Sequence, residues 1–154
     1  MSTSLRPMTP DEYGAWLPAA REHYAADITR AGASEELARE KSERDFARLL
    51  ADGVATAGQW LYVVEADGES VGILWVAERD DDFGKNLFIY DIQIDEAQRG
   101  RGLGRAAMLL AEEEARRRGI ATISLNVFGG NDVAQNLYRS LGYSEAAIYM
   151  VKRI

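Results

Sequence analysis

The spacing of apolar and polar residues predicts six strands along the chain. The runs WLYVVEA and SVGILWVAE have the composition of strands, and the Asp67-Gly68 pair between them is a strong hairpin signal. A third run, LFIYDIQI, follows the acidic loop RDDDFGKN, and ATISLNVF and the C-terminal YSEAAIYMVKRI predict two more strands. Residues 5–8 predict a short edge strand, because Pro7 lacks the donor that a central strand needs.

Four other segments carry helix signals, and the first two are well marked. Thr9 and Glu12 form a capping box ahead of the first helix, which Pro18 should kink or split before the helix ends near Gly32. Ser34 is the expected cap of a second helix, which runs to about residue 52.

The last two helices surround the fifth predicted strand. The third begins after QRGRGLG, carries an apolar stripe and ends at Gly119, and the fourth spans residues 131–141. The resulting order, β-α-α-β-β-β-α-β-α-β, describes an antiparallel meander that enters one right-handed parallel crossover. We therefore predict one α/β (more strictly α+β) domain over residues 1–154, with a mixed, mostly antiparallel sheet of about six strands flanked by helices.

Charge and composition exclude several classes of function. The net charge of −7 argues against a nucleic-acid-binding protein, and no apolar run is long enough to span a membrane. The chain has no cysteine and one histidine, so we expect no disulfide and no metal site. The absence of cysteine and of a signal-peptide pattern favours a cytoplasmic location.

The stretch QRGRGLG, residues 98–104, has the composition of an anion-binding loop. Its glycines allow close approach to the backbone, and it precedes a helix whose N-terminus attracts negative charge. An arginine at a helix N-terminus is destabilising by roughly 0.3–1 kcal/mol, because its charge is repelled by the positive end of the helix dipole. An anion between Arg99, Arg101 and Arg105 would explain their presence. The loop lacks the Gly-Lys-Ser/Thr of a P-loop and the third glycine of a dinucleotide-binding fingerprint.

Two motifs point instead to one family. Arg99-x-x-Gly102-x-Gly104 resembles the acetyl-coenzyme A pyrophosphate loop of the GNAT N-acetyltransferase superfamily, and NDVAQNLYRSLGY, residues 131–143, resembles the second signature of that family. They occur in the expected order, and the element order matches along essentially the whole chain. The resemblance implies the family fold, in which the fourth and fifth strands splay apart.

The resemblance also implies how acetyl-CoA would be held. The backbone of Ile92, Gln93 and Ile94 would pair with pantetheine like an extra strand, and Asn131 would bind pantetheine through its amide, although a helix N-cap also explains an asparagine there. The pyrophosphate would contact the backbone N–H groups of the loop and arginine side chains, in a set formed by Arg99, Gly100, Arg101, Gly102, Leu103, Gly104 and Arg105.

Tyr138 stands where the family carries the general acid for the departing thiolate. A phenol near pKa 10 protonates a thiolate near pKa 8.5 only uphill, by about 2 kcal/mol, so we expect Tyr138 mainly to hydrogen-bond the developing thiolate. The alternative is a packing role. The general base is less clear, because Phe88 and Asn126 occupy two positions where family members carry a basic glutamate. Asp91, the acidic segment 78–82 and a chain of waters remain candidates.

Regular strand alternation places Asp91 on the same face of the strand as Ile89 and Gln93. The side chains on the opposite face are then Phe88, Tyr90, Ile92 and Ile94. A bulge near this point would re-aim the side chains and could bring Asp91 into the site. Asp91 also matches a position where polyamine acetyltransferases carry a carboxylate. An ordinary ion pair or cap is the alternative explanation for it.

The resemblance implies an acetyltransferase that moves acetyl from acetyl-CoA to a primary amine by direct attack, since no cysteine nucleophile exists. We expect a small-molecule acceptor bound near Trp16, Tyr24 and Asp91, with His23 a further candidate. A protein lysine or N-terminal acetyltransferase and a non-catalytic acyl-CoA-binding sensor are the alternatives. Only 11 residues follow Tyr143, enough for one strand where many relatives have two, which leaves open whether a second subunit covers that sheet edge in a homodimer.

Overall fold

A computed structural model describes residues 1–154, which form one five-stranded sheet with helices on both faces. The strands are β1 (Thr3–Pro7), β2 (Gln59–Ala66), β3 (Glu69–Asp81), β4 (Gly84–Ile94) and β5 (Ile123–Leu125). The helices are α1 (Pro10–Arg30), α2 (Glu35–Leu49), α3 (Leu103–Arg117) and α4 (Asp132–Ser140). None of these helices combines the length and the apolar character that crossing a bilayer requires.

The strands lie in sequence order, β1-β2-β3-β4-β5. β1 to β4 form an antiparallel meander, and β5 pairs in parallel with β4 after the crossover through α3. Asp67 and Gly68 have positive φ angles of 51° and 85°, the conformation that the predicted two-residue hairpin needs. The predicted mixed sheet and parallel crossover are confirmed, with five strands instead of about six.

The capping predictions for α1 and α2 are confirmed. Thr9 and Glu12 form a reciprocal capping box at α1, and the Ser34 hydroxyl accepts a hydrogen bond from the N–H of Leu37 at α2. The predicted split at Pro18 is wrong, because α1 continues through it. Pro18 removes one hydrogen bond to the carbonyl of Gly14, and both residues are exposed, so water can satisfy that carbonyl.

The sheet separates two apolar cores. On one face, α3 packs against residues that include Val64, Leu74 and Leu87, all fully buried. On the other face, α1 and α2 cover an aromatic cluster centred on Phe46 and Trp75. These cores fix the sheet between α3 on one side and α1 and α2 on the other.

The β3–β4 hairpin is longer than the sequence pattern predicts. We expected an acidic loop over residues 79–86, but β3 runs to Asp81 and β4 starts at Gly84, so only residues 82 and 83 form the turn. Cross-strand pairs such as Asp80 with Lys85 and an Arg79 guanidinium 4.2 Å from the Phe88 ring centroid stabilise the extension.

A bulge interrupts the β3–β4 register near the middle of β4. Trp75 lies opposite Asp91, but the next residue of β3, Val76, lies opposite Ile89, so Tyr90 is the extra residue. Ile89 and Ile92 therefore both face the α3 core, whereas Tyr90 packs on the α1–α2 side. The alternation predicted without the bulge, which grouped Tyr90 with Ile92 and Ile94, is wrong.

The bulge changes the face on which Asp91 lies. Directly opposed residues on antiparallel strands share a face of the sheet, and Trp75 is part of the α1–α2 core. Asp91 is thus on the α1–α2 side, adjacent in sequence to Tyr90 on that same side.

The C-terminal strand predicted from YSEAAIYMVKRI is absent. Residues 144–154 follow α4 without forming a strand or a helix, and the sheet ends at β5. The predicted fifth strand is also shorter than ATISLNVF, because only Ile123 to Leu125 pair with β4. Without a second neighbour, β5 has backbone partners on one side alone.

Candidate active site

The loop between β4 and α3 is shaped by its glycines. Gly100 and Gly102 have φ angles of 79° and 75°, in the left-handed region that side chains disfavour. A Cβ on Gly104 would lie 3.5 Å from a methyl of Leu137, so this glycine sits where α3 packs against α4. Leu103, 1% exposed, anchors the first turn of α3 in the core. Glycine therefore suits the backbone at two positions of the loop, and Leu103 packs the end of the loop into the core.

The backbone of this loop presents a run of unpaired donors. The N–H groups of residues 100–105 donate no hydrogen bond within the protein, and the first intrahelical bond of α3 joins the N–H of Ala106 to the carbonyl of Gly102. Gly102 is the N-cap and has no side chain to satisfy any of them. Together with the helix dipole, these donors suit an anion with several oxygens, such as a pyrophosphate.

The three arginines around the loop lack carboxylate partners. The Arg99 Nε donates to the carbonyl of Ile94 at 3.1 Å, and an Arg105 guanidinium nitrogen donates to the Ser140 hydroxyl at 2.6 Å. Arg101 contacts the side chain of Gln98. Because these partners are neutral, the positive charge of the cluster is not compensated and remains available to an anion.

β4 and β5 diverge directly beside this loop. Their parallel pairing covers only Leu87 to Ile89 of β4, whereas β4 itself continues to Ile94. Residues 90–94 therefore pair with β3 on one side and have no strand on the other. This is the predicted splay, and it leaves the predicted pantetheine-binding residues Ile92, Gln93 and Ile94 on an open edge that can accept an extended ligand.

Asn131 is the N-cap of α4. Its side-chain oxygen accepts a hydrogen bond from the N–H of Ala134 at 3.2 Å, so the capping explanation considered above is confirmed. The side-chain nitrogen makes no hydrogen bond in the protein and stays free to donate to a ligand.

Tyr138 lies on α4, the helix that follows β5 in the chain. Its ring packs against the α3 core and lies 6.1 Å from the ring of Tyr143. Its hydroxyl makes no hydrogen bond, yet no buried polar side-chain atom lacks a partner, so the hydroxyl reaches solvent. Burial of the ring, and next the negative charge of Asp91, raise the pKa of Tyr138 above its ordinary value.

Asp91 lies on β4 beyond the last residue that pairs with β5, on the α1–α2 side of the sheet. It is crowded by protein but retains intermediate exposure, and burial raises its pKa to about 6. The amide of Gln93 donates a long hydrogen bond of 3.4 Å to the carboxylate and opposes the shift. The negative charge of Asp91 acts on the Tyr138 hydroxyl, so these two predicted residues lie within electrostatic range of each other.

Two side chains of α1 complete the surroundings of Asp91. The charge of His23 lowers the pKa of Asp91, and the charge of Asp27 raises it. His23 and Asp27 are one helical turn apart, with a nitrogen–oxygen distance of 3.9 Å between them. The sequence pattern did not indicate Asp27, because only its approach to β4 in the folded chain distinguishes it from other helix-surface carboxylates.

The predicted acceptor residues Trp16 and Tyr24 belong to the aromatic cluster under α1 and α2. The Trp16 ring contacts the Trp75 ring edge-on, with their centroids 5.8 Å apart, and Trp75 stacks on Tyr90 at 4.7 Å. Trp16 is thus connected to the surroundings of Asp91 by way of Trp75. The Tyr24 hydroxyl donates to Asp45 at 3.0 Å, so its polar group already has a partner in the protein. Trp75 and Tyr90, not named by the sequence pattern, lie beside Asp91, and of the two rings only that of Tyr90 is partly exposed.

The acidic segment 78–82 is less suited to proton removal than Asp91. Glu78 lies 3.5 Å from the guanidinium of Arg118, and Asp81 lies 3.4 Å from that of Arg79. A hydrogen bond from the N–H of Phe83 holds the pKa of Asp81 below its ordinary value. A carboxylate with a lowered pKa is a weaker base.

Comparisons with known proteins agree with these features. A model of the acetyltransferase (GNAT) family matches residues 17–143. The uncharacterized N-acetyltransferase YycN of Bacillus subtilis is 31% identical over 100% of both chains, and its crystal structure superposes with a TM-score of 0.93 over 99% of each. A mycothiol acetyltransferase of Thermomonospora curvata is 33% identical over 57% of this chain and 29% of that protein.

A more distant structure shares the fold alone. The aminoglycoside acetyltransferase AAC(6')-Iy, in complex with a bisubstrate analog of CoA and acetylneamine, is 15% identical, with a TM-score of 0.66 over 100% of this chain and 99% of that one.

Proposed function

The chain belongs to the acetyltransferase (GNAT) family, and we propose that it transfers the acetyl group of acetyl-CoA to a primary amine of a small, basic molecule. One observation carries the proposal. Six consecutive unpaired N–H groups, residues 100–105, begin α3 directly beside the open edge of β4. An anionic group at the helix and an extended arm along the strand are what the pyrophosphate and pantetheine of acetyl-CoA provide.

The residues present fit that donor. The N–H groups of the loop would bind the pyrophosphate, with Arg99 and Arg105 supplying positive charge, and the backbone of residues 92–94 would hold the pantetheine. An N–H of the same segment would face the thioester carbonyl and stabilise the negative charge that develops there. The free side-chain nitrogen of Asn131 would add one more donor.

The acceptor would enter from the α1–α2 side. An ammonium group is attracted by the carboxylates of Asp91 and Asp27 and can rest against the partly exposed ring of Tyr90. A lysine-like amine of pKa about 10.4 is under one part in a thousand neutral at pH 7, so a base must remove a proton before attack. With a pKa of about 6, Asp91 is ionised at pH 7 and is a stronger base than an ordinary aspartate.

Attack of the neutral amine forms the carbon–nitrogen bond, the attacking nitrogen loses its extra proton to water, and the carbon–sulfur bond then breaks to release the CoA thiolate. Tyr138 would donate a hydrogen bond from its hydroxyl to the departing thiolate, since that hydroxyl has no partner in the protein. The raised pKa of Tyr138 makes full proton transfer harder, so the hydrogen bond itself is its main contribution.

A thiol-release assay tests the proposal directly. Because the chain contains no cysteine, a thiol-reactive dye reports released CoA with no background from the protein. We expect turnover with basic small amines from a library, and much slower turnover with lysine-containing peptides. Preference for peptides would indicate a protein acetyltransferase, and binding of acetyl-CoA without release of thiol by any amine would indicate a sensor.

A further inference from the structure

Arg79, near the end of β3, has a guanidinium group that donates no hydrogen bond within the protein. The only carboxylate within 4.0 Å of it is that of Asp81, one of whose oxygens lies 3.4 Å from a terminal nitrogen without accepting a hydrogen bond. The other oxygen of Asp81 accepts a hydrogen bond from the N–H of Phe83 at 2.9 Å. Since the Arg79 side chain is 37% exposed, its five N–H donors are open to a ligand.

Arg79 lies on the face of the sheet that carries Asp91. Every second residue of β3 shares a face, so Trp75, Ala77 and Arg79 all lie on one side. That side is the α1–α2 side, because Trp75 belongs to the core under those helices and lies directly opposite Asp91. Phe88 lies opposite Ala77 and therefore shares the same face.

Two aromatic rings connect the arginine to the surroundings of Asp91. The guanidinium carbon of Arg79 is 4.2 Å from the centroid of the Phe88 ring, and that ring is 4.6 Å from the ring of Tyr90, the residue before Asp91. Phe88 belongs to neither apolar core. Because Phe88 lies opposite Ala77, two residues along β3 from the level of Asp91, the guanidinium and the Asp91 carboxylate are roughly 7–10 Å apart.

The charges along this row change sign from one end to the other. Asp91 and Asp27 supply negative charge at one end, and Arg79 supplies positive charge at the other. Asp80 lies opposite Lys85, and strand alternation places both on the other face of the sheet. The only carboxylate that competes for the Arg79 guanidinium is thus that of its neighbour on the hairpin, two residues further along β3.

We propose that Arg79 binds a carboxylate at the far end of the acceptor, so that the acceptor is a strongly basic amine with a carboxylate roughly 7 Å from its nitrogen. The inference rests on the proposed function and narrows its acceptor. A planar guanidinium pairs with a carboxylate through two parallel hydrogen bonds, and Arg79 can donate both without breaking any in the protein. The apolar chain between the two charged ends lies against the partly exposed ring of Tyr90.

Three acceptors of similar length isolate the charge at the far end: 6-aminohexanoate, hexylamine and 1,6-diaminohexane. We expect a KM for 6-aminohexanoate at least about tenfold lower than for hexylamine, and the highest KM for the diamine. The preference should disappear in Arg79→Gln and be partly retained in Arg79→Lys, which keeps the charge without the planar pair of donors. Lys85→Gln, which removes an exposed positive charge from the other face of the same hairpin, is the matched control and should keep the preference. Asp81→Asn removes the competing charge and should lower the KM for 6-aminohexanoate further.

Binding of the reaction products gives a readout that needs no turnover. With CoA present, calorimetry should show 6-acetamidohexanoate binding at least about tenfold more tightly than N-hexylacetamide, and Arg79→Gln should abolish the difference. Equal affinities for the two products, or equal KM values for 6-aminohexanoate and hexylamine, overturn the role of Arg79. Selective binding of the acidic product without release of thiol from any amine would contradict the proposed function and uphold Arg79 as the carboxylate-binding residue.

Discussion

Replacing Asp91 by asparagine should stabilise the protein near neutral pH while impairing it as an enzyme. The folded chain holds the pKa of Asp91 at about 6, against an ordinary value of 3.8. A raised carboxyl pKa means that the folded state binds the proton more tightly than the unfolded state, so stability is lost as pH rises from 3.8 through 6. The shift corresponds to about 3 kcal/mol above pH 7, and partial solvent exposure reduces this to an expected 1–3 kcal/mol.

The gain in the free energy of unfolding of the Asp91→Asn variant should depend on pH. Asparagine keeps the shape of the side chain and can still accept the hydrogen bond from Gln93. From the same two pKa values, the difference in free energy of unfolding between variant and parent should shrink at pH 4.5 to about a third of its value at pH 8. For a chain of this length, each kcal/mol raises the Tm by about 2–4 °C.

Urea unfolding at pH 8 and pH 4.5 measures the effect. Asp82→Asn, in the exposed turn between β3 and β4, is the matched control and should show no comparable gain. Equal stability of Asp91→Asn and the parent at pH 8 would refute the reasoning, as would a gain of the same size at both pH values. Either result would mean that Asp91 is not held in a desolvated cleft.

The kinetic predictions concern the same cleft and the loop before α3. Gly102→Glu puts a negative charge where the pyrophosphate should lie, so calorimetry should show acetyl-CoA affinity falling at least about tenfold, or 1.4 kcal/mol. The control Gly102→Asn, which tolerates the same backbone conformation, should lose less affinity. Unchanged affinity in a folded Gly102→Glu variant would remove the basis of the proposed function. Tyr138→Phe should lower kcat by about tenfold to a thousandfold with little change in acetyl-CoA affinity, and parental turnover would make Tyr138 a packing residue. Asp91→Asn should lower kcat/KM most for strongly basic amines and steepen its rise with pH, and an unchanged pH–rate profile would point to water or the acidic segment as the route for the proton.

Local signals in the sequence predicted those parts of the fold that are decided locally. The capping box at Thr9, the Asp67-Gly68 turn and the Gly119 helix end each depend on neighbouring residues alone, and each is present. The anion-binding character of the loop before α3 was also accessible, because glycines and arginines in that order act through the adjacent helix terminus.

Features that depend on distant partners were not predictable in the same way. Residues 144–154 have a strand-like pattern, but a strand forms only by pairing with another strand, and these residues make no backbone hydrogen bond in the folded chain. The exact position of the bulge at Tyr90 required the register against β3, and the proximity of Asp27 to Asp91 required the packing of α1 on the sheet. The bulge and the approach of Asp27 are the features that define the proposed acceptor side of the candidate site.

The bulge at Tyr90 makes the cleft sensitive to the length of β4 as well as to its composition. Deleting Tyr90, the extra residue, would restore regular pairing and leave Ile89 opposite Val76 and Asp91 opposite Trp75. Every remaining side chain would keep its face of the sheet, but the tyrosine ring that stacks on Trp75 at 4.7 Å would be lost from beside Asp91. A single-codon deletion here would therefore change the surroundings of Asp91 without reversing β4.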